Sequence, residues 1–193
     1  MLYSDVRGQP AGTSGRPAPT LVWLQVALAA FLCELLVIQV IGRTNLAGDL
    51  LPVLLPASHL VLAVFLVRNL SYWGLRLVLV GLALNLTVMA ANGGLMPVDA
   101  SAVNAVGRQD VAELKIGEPV PGTKNILLNR DDIHLRYLSD NIILPLPKPM
   151  TKAISLGDAL ILPGAIIAAV EVIRRKRRLG FDGHLRVSGA KAV

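Results

Sequence analysis

The sequence predicts an all-α membrane protein with four transmembrane helices and a long exported loop between the third and fourth. Hydrophobic residues make up 53% and charged residues 17% of the 193-residue chain, and the mean hydropathy is +0.58. This is too apolar for an ordinary soluble domain. Four apolar segments each approach the length of about 20 residues that a helix needs to cross a bilayer. A basic run directly follows the last segment and is formed by Arg174, Arg175, Lys176, Arg177 and Arg178.

Residues 1–20 precede the first apolar segment and are rich in Gly, Pro, Ser, Thr and Ala. Because this stretch has little apolar surface to bury, it is predicted to be a disordered cytoplasmic tail. Leu21–Ile41 then exceeds the apolar core of a signal peptide, about 7–15 residues, and lacks a convincing small-residue cleavage site. It is predicted to be a retained transmembrane helix.

The second apolar segment is Leu50–Leu70, and it carries two prolines in its first turns. Prolines are tolerated best near a helix start, so the helix begins either close to Leu50 or only at Pro56. Tyr72 and Trp73 follow in a tight hairpin, as expected where a chain crosses the headgroup level.

The third segment, Trp73–Asn92, runs into Gly93 and Gly94. Adjacent glycines can adopt the positive φ angles that close a helix C-terminus, and Pro97 keeps the residue before it extended. The sequence therefore predicts that the helix ends here and that the chain leaves the helix axis sharply.

Residues 93–153 are predicted to be the exported loop, the part long enough to fold outside the bilayer. Asp99 can cap a short helix with Gly107 just past its end. Asp131–Leu138 is predicted to form a second short helix. Both helices are expected to lie at the membrane interface.

The fourth segment, Leu156–Ile173, begins with Ser155 and Asp158, whose spacing is that of a capping box for free amide groups. Glu171 near its end is expected to pair with Arg174 or Arg175. Four small residues of this segment form two pairs typical of close helix packing, namely Gly164 with Ala168 and Ala165 with Ala169.

The basic run predicts the orientation of the chain. Basic residues favour the cytoplasmic side, and four crossings then place the N-terminus there too, together with Arg68 and Arg76 of the second hairpin. Residues 21–173 are thus the predicted transmembrane domain and residues 174–193 a basic cytoplasmic tail. Such a run is expected to contact anionic lipid headgroups and not nucleic acid.

Three polar side chains are predicted to share one layer near the middle of the bilayer. At about 1.5 Å per residue, Glu34, His59 and Asn85 lie roughly 20, 17 and 18 Å from the cytoplasmic ends of their helices. They could form a proton or ion relay, or only hydrogen bonds that fix helix packing. Packing is favoured because four helices leave little room for a solvated path.

A second polar group is predicted at the outer face, where the third helix ends and the fourth begins. Its members either cap helices and close turns or form a shallow site for a headgroup or peptide. They are Asn92, Asp140, Asn141, Ser155 and Asp158.

The sequence predicts no catalytic residues, metal or cofactor. It contains no Gly-rich phosphate loop with a lysine, no Gly-x-Ser-x-Gly turn and no His-Glu-x-x-His. Asp131, Asp132 and His134 could supply metal ligands, but paired acids at a helix start more commonly act as caps and dipole partners. The single Cys33 excludes an intramolecular disulfide.

The stretch from Asn92 to Val98 reads Asn-Gly-Gly-Leu-Met-Pro-Val. It resembles the Asn-Gly-Gly-x-Met-Pro motif of a family of small bacterial integral membrane proteins of unknown function. Later motifs of that family resemble three further parts of the sequence: His134, residues 138–142 and residues 154–158. The last of these contains a Ser-x-Gly-Asp before the last helix. Ser139 stands where the family's motif has glycine. The resemblance covers about residues 20–173. It implies a bacterial inner-membrane location and no particular activity.

Three classes of function follow. The favoured one is a non-enzymatic accessory, scaffold or assembly subunit of a bacterial membrane complex, with a protein partner or as a homo-oligomer. The alternative is a small proton- or ion-coupled transporter or channel that uses Glu34 and His59. The third is a membrane-embedded enzyme, which would need Asp131, Asp132, His134 and Asp140 to converge.

Overall fold

The structure is a computed structural model that describes residues 21, 24–44, 47–108, 113–147 and 151–190, with side chains of the last helix described to residue 178. The predicted tail 1–20 lies outside the described residues. Four helices are long and apolar enough to cross a membrane, so the structure fits a multi-pass membrane protein. They are α1 (Leu24–Val40), α2 (Ala47–Arg68), α3 (Trp73–Ala91) and α5 (Leu156–Ala190).

The outward faces of these helices are apolar. Leu36, Val53 and Leu162 are 62%, 67% and 65% exposed, respectively. Contact between such an apolar surface and water is unfavourable, whereas contact with lipid acyl chains is not. The exposed surface therefore agrees with the composition.

The helix α2 begins at Ala47, before both of its prolines, so the interpretation that it starts at Pro56 is wrong. Each proline removes one backbone donor but keeps a φ angle compatible with the helix. Pro56 has no amide hydrogen to donate to the carbonyl of Pro52. Gly94 lies directly against that carbonyl, where any Cβ atom would overlap it.

The predicted end of the third helix is confirmed. The helix α3 ends at Ala91, and Gly93 and Gly94 have φ angles of 75° and 94°. The amide of Gly94 donates to the carbonyl of Met89 at 2.7 Å and so closes the last turn. The two glycines therefore turn the chain out of the helix.

At the other end of α3, the carboxylate of Glu171 accepts hydrogen bonds from the amides of Trp73 and Gly74 at 3.1 and 2.9 Å. It caps the first turn of α3 instead of pairing with Arg174 or Arg175 as expected. An acidic side chain is favourable there because the helix dipole is positive at its N-terminus.

The helices α3 and α5 pack through glycines. Gly74 faces Gly164 and Ala168, and Gly81 faces Gly157, so closely that a Cβ atom on either glycine of α3 would overlap the backbone of α5. On each helix the two glycines are seven residues apart, about two helical turns, which places them on one face. The predicted pair Gly164 and Ala168 is therefore used inside the bundle.

The loop between α3 and α5 is not purely helical. Its described residues contain one short α-helix, α4 (Ala100–Ala105), and four short strands, and the all-α prediction lacked these strands. Strands β1 (Met96–Val98) and β2 (Asn125–Leu127) pair in parallel, with Met96 opposite Asn125. Strands β3 (Ile142–Leu144) and β4 (Lys152–Ile154) pair in antiparallel orientation, with Ile142 opposite Ile154. A small apolar core supports them, formed by Val98, Ala102, Val103, Val120 and Leu127.

One of the two predicted loop helices is confirmed. The side chain of Asp99 accepts from the amide of Ala102 at 2.8 Å and caps α4. Burial alone would raise the pKa of Asp99, but hydrogen bonds from Ser101 and Ala102 outweigh it and hold the pKa below its usual value. Gly107 follows α4 with a φ angle of 76°.

The second predicted loop helix, Asp131–Leu138, is wrong. Only a single 3₁₀ turn forms, at Arg136–Leu138. Leu135 adopts the left-handed region with a φ angle of 55°, which a right-handed helix cannot contain. The chain therefore turns between residues 131 and 138.

The helix α5 continues through the basic run to Ala190, so the predicted end at Ile173 is too early. Arginine and lysine are good helix formers and do not stop the helix. Arg175 donates to the carbonyl of Ser71 at 2.7 Å and lies 4.2 Å from the centre of the Tyr72 ring. The basic run thus meets the aromatic hairpin between α2 and α3.

Candidate functional site

The four long helices line a half-open cavity of about 700 Å³, here called the inner cavity. Its wall is mostly apolar and includes Phe31 of α1, Leu62 of α2, Val78 of α3 and Ala169 of α5. Small-molecule sites typically have volumes of about 300–1,000 Å³. The inner cavity is therefore large enough for a ligand.

A second cavity of about 1000 Å³, here called the outer cavity, lies between the loop and the helices α1 and α5. Val98 and Leu144 line it from the loop. Phe31, Ile161 and Ala165 line both cavities. An apolar wall thus continues from one cavity to the other.

Five side chains form a polar network where the two cavities meet: Asn85, Lys124, Asp140, Ser155 and Asp158. The amide of Asn85 donates to Asp158 Oδ1, and the hydroxyl of Ser155 donates to Asn85 Oδ1, both at 2.7 Å. The ammonium group of Lys124 donates to Asp158 Oδ2, also at 2.7 Å. Lys124 and Asp158 line both cavities, so the network borders both.

Lys124 also faces the second carboxylate of the network. Its Nζ lies 3.8 Å from Asp140 Oδ1, and the side chain of Lys124 is 21% exposed. Burial alone would lower the pKa of Lys124, but the carboxylates of Asp140 and Asp158 outweigh it and raise the pKa. The lysine therefore stays charged.

Asp140 is the most deeply buried carboxylate of the network, with 2% of the residue exposed. Its Oδ2 accepts a hydrogen bond of 2.7 Å from the amide of Asn125. Burial raises its pKa to about 6, although Lys124 acts in the opposite direction. Its Oδ1 accepts no hydrogen bond within the part of the chain that the structure describes, so one buried acceptor remains open.

This arrangement can hold a polar group at the junction of two apolar chambers. Polar groups bind strongly where water is excluded and donors and acceptors are fixed in place. Among the described residues, no group of three or more His, Cys, Asp or Glu side chains is placed to hold a metal ion.

A family model described as "Family of unknown function (DUF5317)" matches residues 19–170. The chain belongs to this family. No curated protein and no solved structure matches the chain. The DUF5317 match includes all members of the polar network and ends just before Glu171 and the basic run.

The predicted intramembrane layer divides into two parts in this DUF5317 chain. Nδ1 of His59 donates to the carbonyl of Leu55 at 2.9 Å and lies 3.8 Å from Glu34 Oε1. The hydroxyl of Ser58 lies 3.1 Å from Glu34 Oε2. Asn85 instead joins the polar network, but all three predicted residues line the inner cavity.

The predicted outer-face group divides as well. Ser155 and Asp158 lie in the polar network together with Asp140. Asn92 instead exchanges two hydrogen bonds with the backbone of His134, at 2.9 and 3.0 Å. Asn141 donates to the carbonyl of Arg136 and to the hydroxyl of Ser139, so it closes the local turn.

The capping box forms only in part. The hydroxyl of Ser155 accepts from the amide of Asp158 at 2.9 Å. The carboxylate of Asp158 does not return to the start of α5 but binds Asn85 and Lys124. The spacing therefore identified the cap of α5 but not the partners of Asp158.

Sequence reasoning missed Lys124 and Asn125, the two loop residues that bind the carboxylates of the network. Lys124 lies directly before the short strand β2 and Asn125 is its first residue, and the sequence there has neither helical nor strand periodicity. Pairing of β2 with β1 decides their position. A lysine in a polar loop gives no signal of its own, because most such lysines are solvated.

Proposed function

We propose that this DUF5317 member is a non-enzymatic protein of the bacterial inner membrane that binds an amphiphilic molecule. The hydrocarbon part lies in the inner cavity and the polar end lies at the polar network. In the cell it acts as an accessory subunit that holds this molecule for a larger membrane assembly.

One observation carries the proposal. The apolar inner cavity ends at ionisable side chains, Lys124 and Asp158, and not at more apolar residues. An apolar chamber with a charged end matches a molecule that is itself apolar with a polar end.

The proposed orientation has both termini in the cytoplasm and the loop exported. Arg76 lies 4.7 Å from the centre of the Trp73 ring, so cations and aromatic rings occur together at the end of the bundle opposite the loop. Basic residues favour the cytoplasmic side, and the basic run there would contact anionic lipid. Cytoplasmic reporter activity after Thr123, or exported reporter activity after Val193, would contradict this orientation.

A cavity-filling substitution tests the binding proposal. Ala165 lines both cavities, so Ala165→Phe should fill the space that the ligand needs. Ala159 is exposed on the same helix and lines neither cavity, so Ala159→Phe is the matched control. Native mass spectrometry and solvent extraction after purification in mild detergent would measure the bound molecule.

We expect the wild type and Ala159→Phe to retain an amphiphile in stoichiometric amount and Ala165→Phe to lose it. A wild-type protein that carries no amphiphile and takes up none from lipid micelles would overturn the proposal.

Proteomics of the same preparations tests the accessory role, which predicts a stoichiometric protein partner in the wild type. A lone, monodisperse particle contradicts that role.

Proton-coupled transport is the second candidate, and the pair of Glu34 and His59 favours it. Their side chains lie 3.8 Å apart and both line the inner cavity, and ionisable residues at such depth are often functional. Proton flux into liposomes that contain the purified protein, abolished by Glu34→Gln, would support this candidate. The absence of flux in the wild type would remove it.

A further inference from the structure

The polar network carries more negative than positive charge. Asp140 and Asp158 both face Lys124, and Glu34 is close enough to act on the same ammonium group electrostatically. Two carboxylates of the network thus share one lysine, and Glu34 adds a weaker negative field. A positively charged group on the ligand would balance the carboxylates of the network.

The unfilled acceptor of Asp140 specifies the ligand further. Asp140 is almost fully buried and lines the outer cavity, and within the described residues its Oδ1 receives no hydrogen bond. Lys124 does not fill this position, because its Nζ is 2.7 Å from Asp158 and 3.8 Å from Asp140 Oδ1. A buried acceptor of this kind favours a ligand that brings an N–H donor.

Two cationic side chains line the same cavity. Arg108, whose guanidinium already donates to the carbonyl of Pro121 at 3.0 Å, and Lys152 belong to the loop wall of the outer cavity. Their charges can pair with a phosphate group while the acidic network receives an ammonium group. The outer cavity therefore offers both halves of a zwitterionic headgroup a partner of opposite charge.

We propose that the outer cavity and the polar network bind the phosphoethanolamine headgroup of an aminophospholipid. The primary ammonium group donates to Asp140 Oδ1, the phosphate faces Arg108 and Lys152, and an acyl chain follows the shared wall of Phe31, Ile161 and Ala165 into the inner cavity. This inference rests on the proposed function and names its ligand class.

A series of phospholipids that differ only in their headgroups tests this inference on the unmodified protein. Binding of phosphatidylethanolamine, its N-methyl and N,N-dimethyl derivatives, phosphatidylcholine and phosphatidylglycerol, all with the same acyl chains, would be measured by native mass spectrometry in detergent. Each methyl group removes one N–H donor without removing the charge. We expect affinity to fall along the series, with phosphatidylethanolamine about tenfold or more above phosphatidylcholine, the effect of one charge-assisted hydrogen bond.

The variant Asp140→Asn removes the charge but keeps an acceptor of similar shape. It should bring phosphatidylethanolamine down to the affinity of phosphatidylcholine. Asp132→Asn is the matched control because Asp132 is exposed on a loop turn and lines neither cavity. It should keep the wild-type preference.

Equal binding of all five lipids, or tighter binding of phosphatidylglycerol, would overturn this inference and leave the amphiphile proposal standing. If no phospholipid binds but another extracted amphiphile does, the inference also fails. If nothing binds, the proposed function fails with it. The lipid series on the wild type gives these outcomes even if Asp140→Asn does not fold.

Discussion

The helix α5 has two different neighbours across the bundle. Toward α3, glycines bring the backbones of the two helices into direct contact. Toward α1, Phe31 of α1 and Ala165 of α5 both line the two cavities. One helix thus forms both the closest interface of the bundle and the wall of its candidate site.

The comparison shows how a small bundle can hold an open site. Lipid gives no hydrophobic driving force between helices, so contact area and polar bonds must fix them. The contact of α3 with α5 supplies these through Gly81, Gly157 and the bond between Asn85 and Asp158. Because that side is fixed, the other side can stay open.

The largest effect is expected where the close interface is broken. In Gly157→Leu, even the Cβ atom would overlap Gly81 and Asn85, so the helices must separate. We expect a loss above about 3 kcal/mol, the upper part of the range for overpacking, seen as aggregated protein in size-exclusion chromatography. Among the described residues, no atom beyond the neighbouring residues and backbone of α2 lies within 4 Å of a Cβ atom added at Gly48, so Gly48→Leu should stay monodisperse. Similar behaviour of the two variants would contradict this interface.

The next effect concerns the polar network between the two sides. Lys124→Met removes the cation that Asp140 and Asp158 share. Breaking a buried ion pair typically costs about 3–5 kcal/mol. In the variant Asp140 can take up a proton and so lose its uncompensated charge, and we therefore expect a loss of stability near the lower end of this range. Thermal unfolding in detergent should show the loss, whereas Lys115→Met, at an exposed position, should leave the midpoint unchanged. Equal midpoints would show that the ion pairs contribute nothing.

A pH dependence follows from Asp140, whose pKa is raised from 3.8 to about 6. Between these values the folded protein holds a proton that the unfolded chain has released, so stability falls as the pH rises through this window. The contribution is at most about 3 kcal/mol. Unfolding midpoints between pH 4 and 7 should show this fall in the wild type and in Asp132→Asn but not in Asp140→Asn. An identical profile in Asp140→Asn would assign the dependence to another group.

The smallest effect is expected on the open side. Ala168 is buried against Gly74, whereas its neighbour Ala169 is exposed and lines the inner cavity. Ala169→Leu should therefore change stability by no more than about 0.5 kcal/mol, and Ala168→Leu by about 1–3 kcal/mol. Unfolding in detergent would compare these adjacent positions. Equal losses would mean that the cavity side is packed in solution.

The sequence alone determined the four helices, the turn at Gly93 and Gly94 and the caps at Asp99 and Ser155. These features depend on local properties: the length of an apolar segment, positive φ angles at glycine and side chains that bind nearby amides. It also identified Glu34, His59, Asp140 and Asp158 as polar residues that need partners. A polar residue inside an apolar segment or beside a helix end needs a hydrogen-bond partner, and this need can be inferred before the fold is known.

Only the tertiary structure decided which partners they have. Lys124 meets Asp140 and Asp158 because β2 pairs with β1 across the loop, and strand pairing over such a distance has no local signal. The interface glycines are seven residues apart on each helix, Gly74 and Gly81 on α3 and Gly157 and Gly164 on α5, but this spacing does not say which helix they contact. The cavities are likewise volumes between elements, and such volumes depend on how all four helices pack and not on the residues of any one of them.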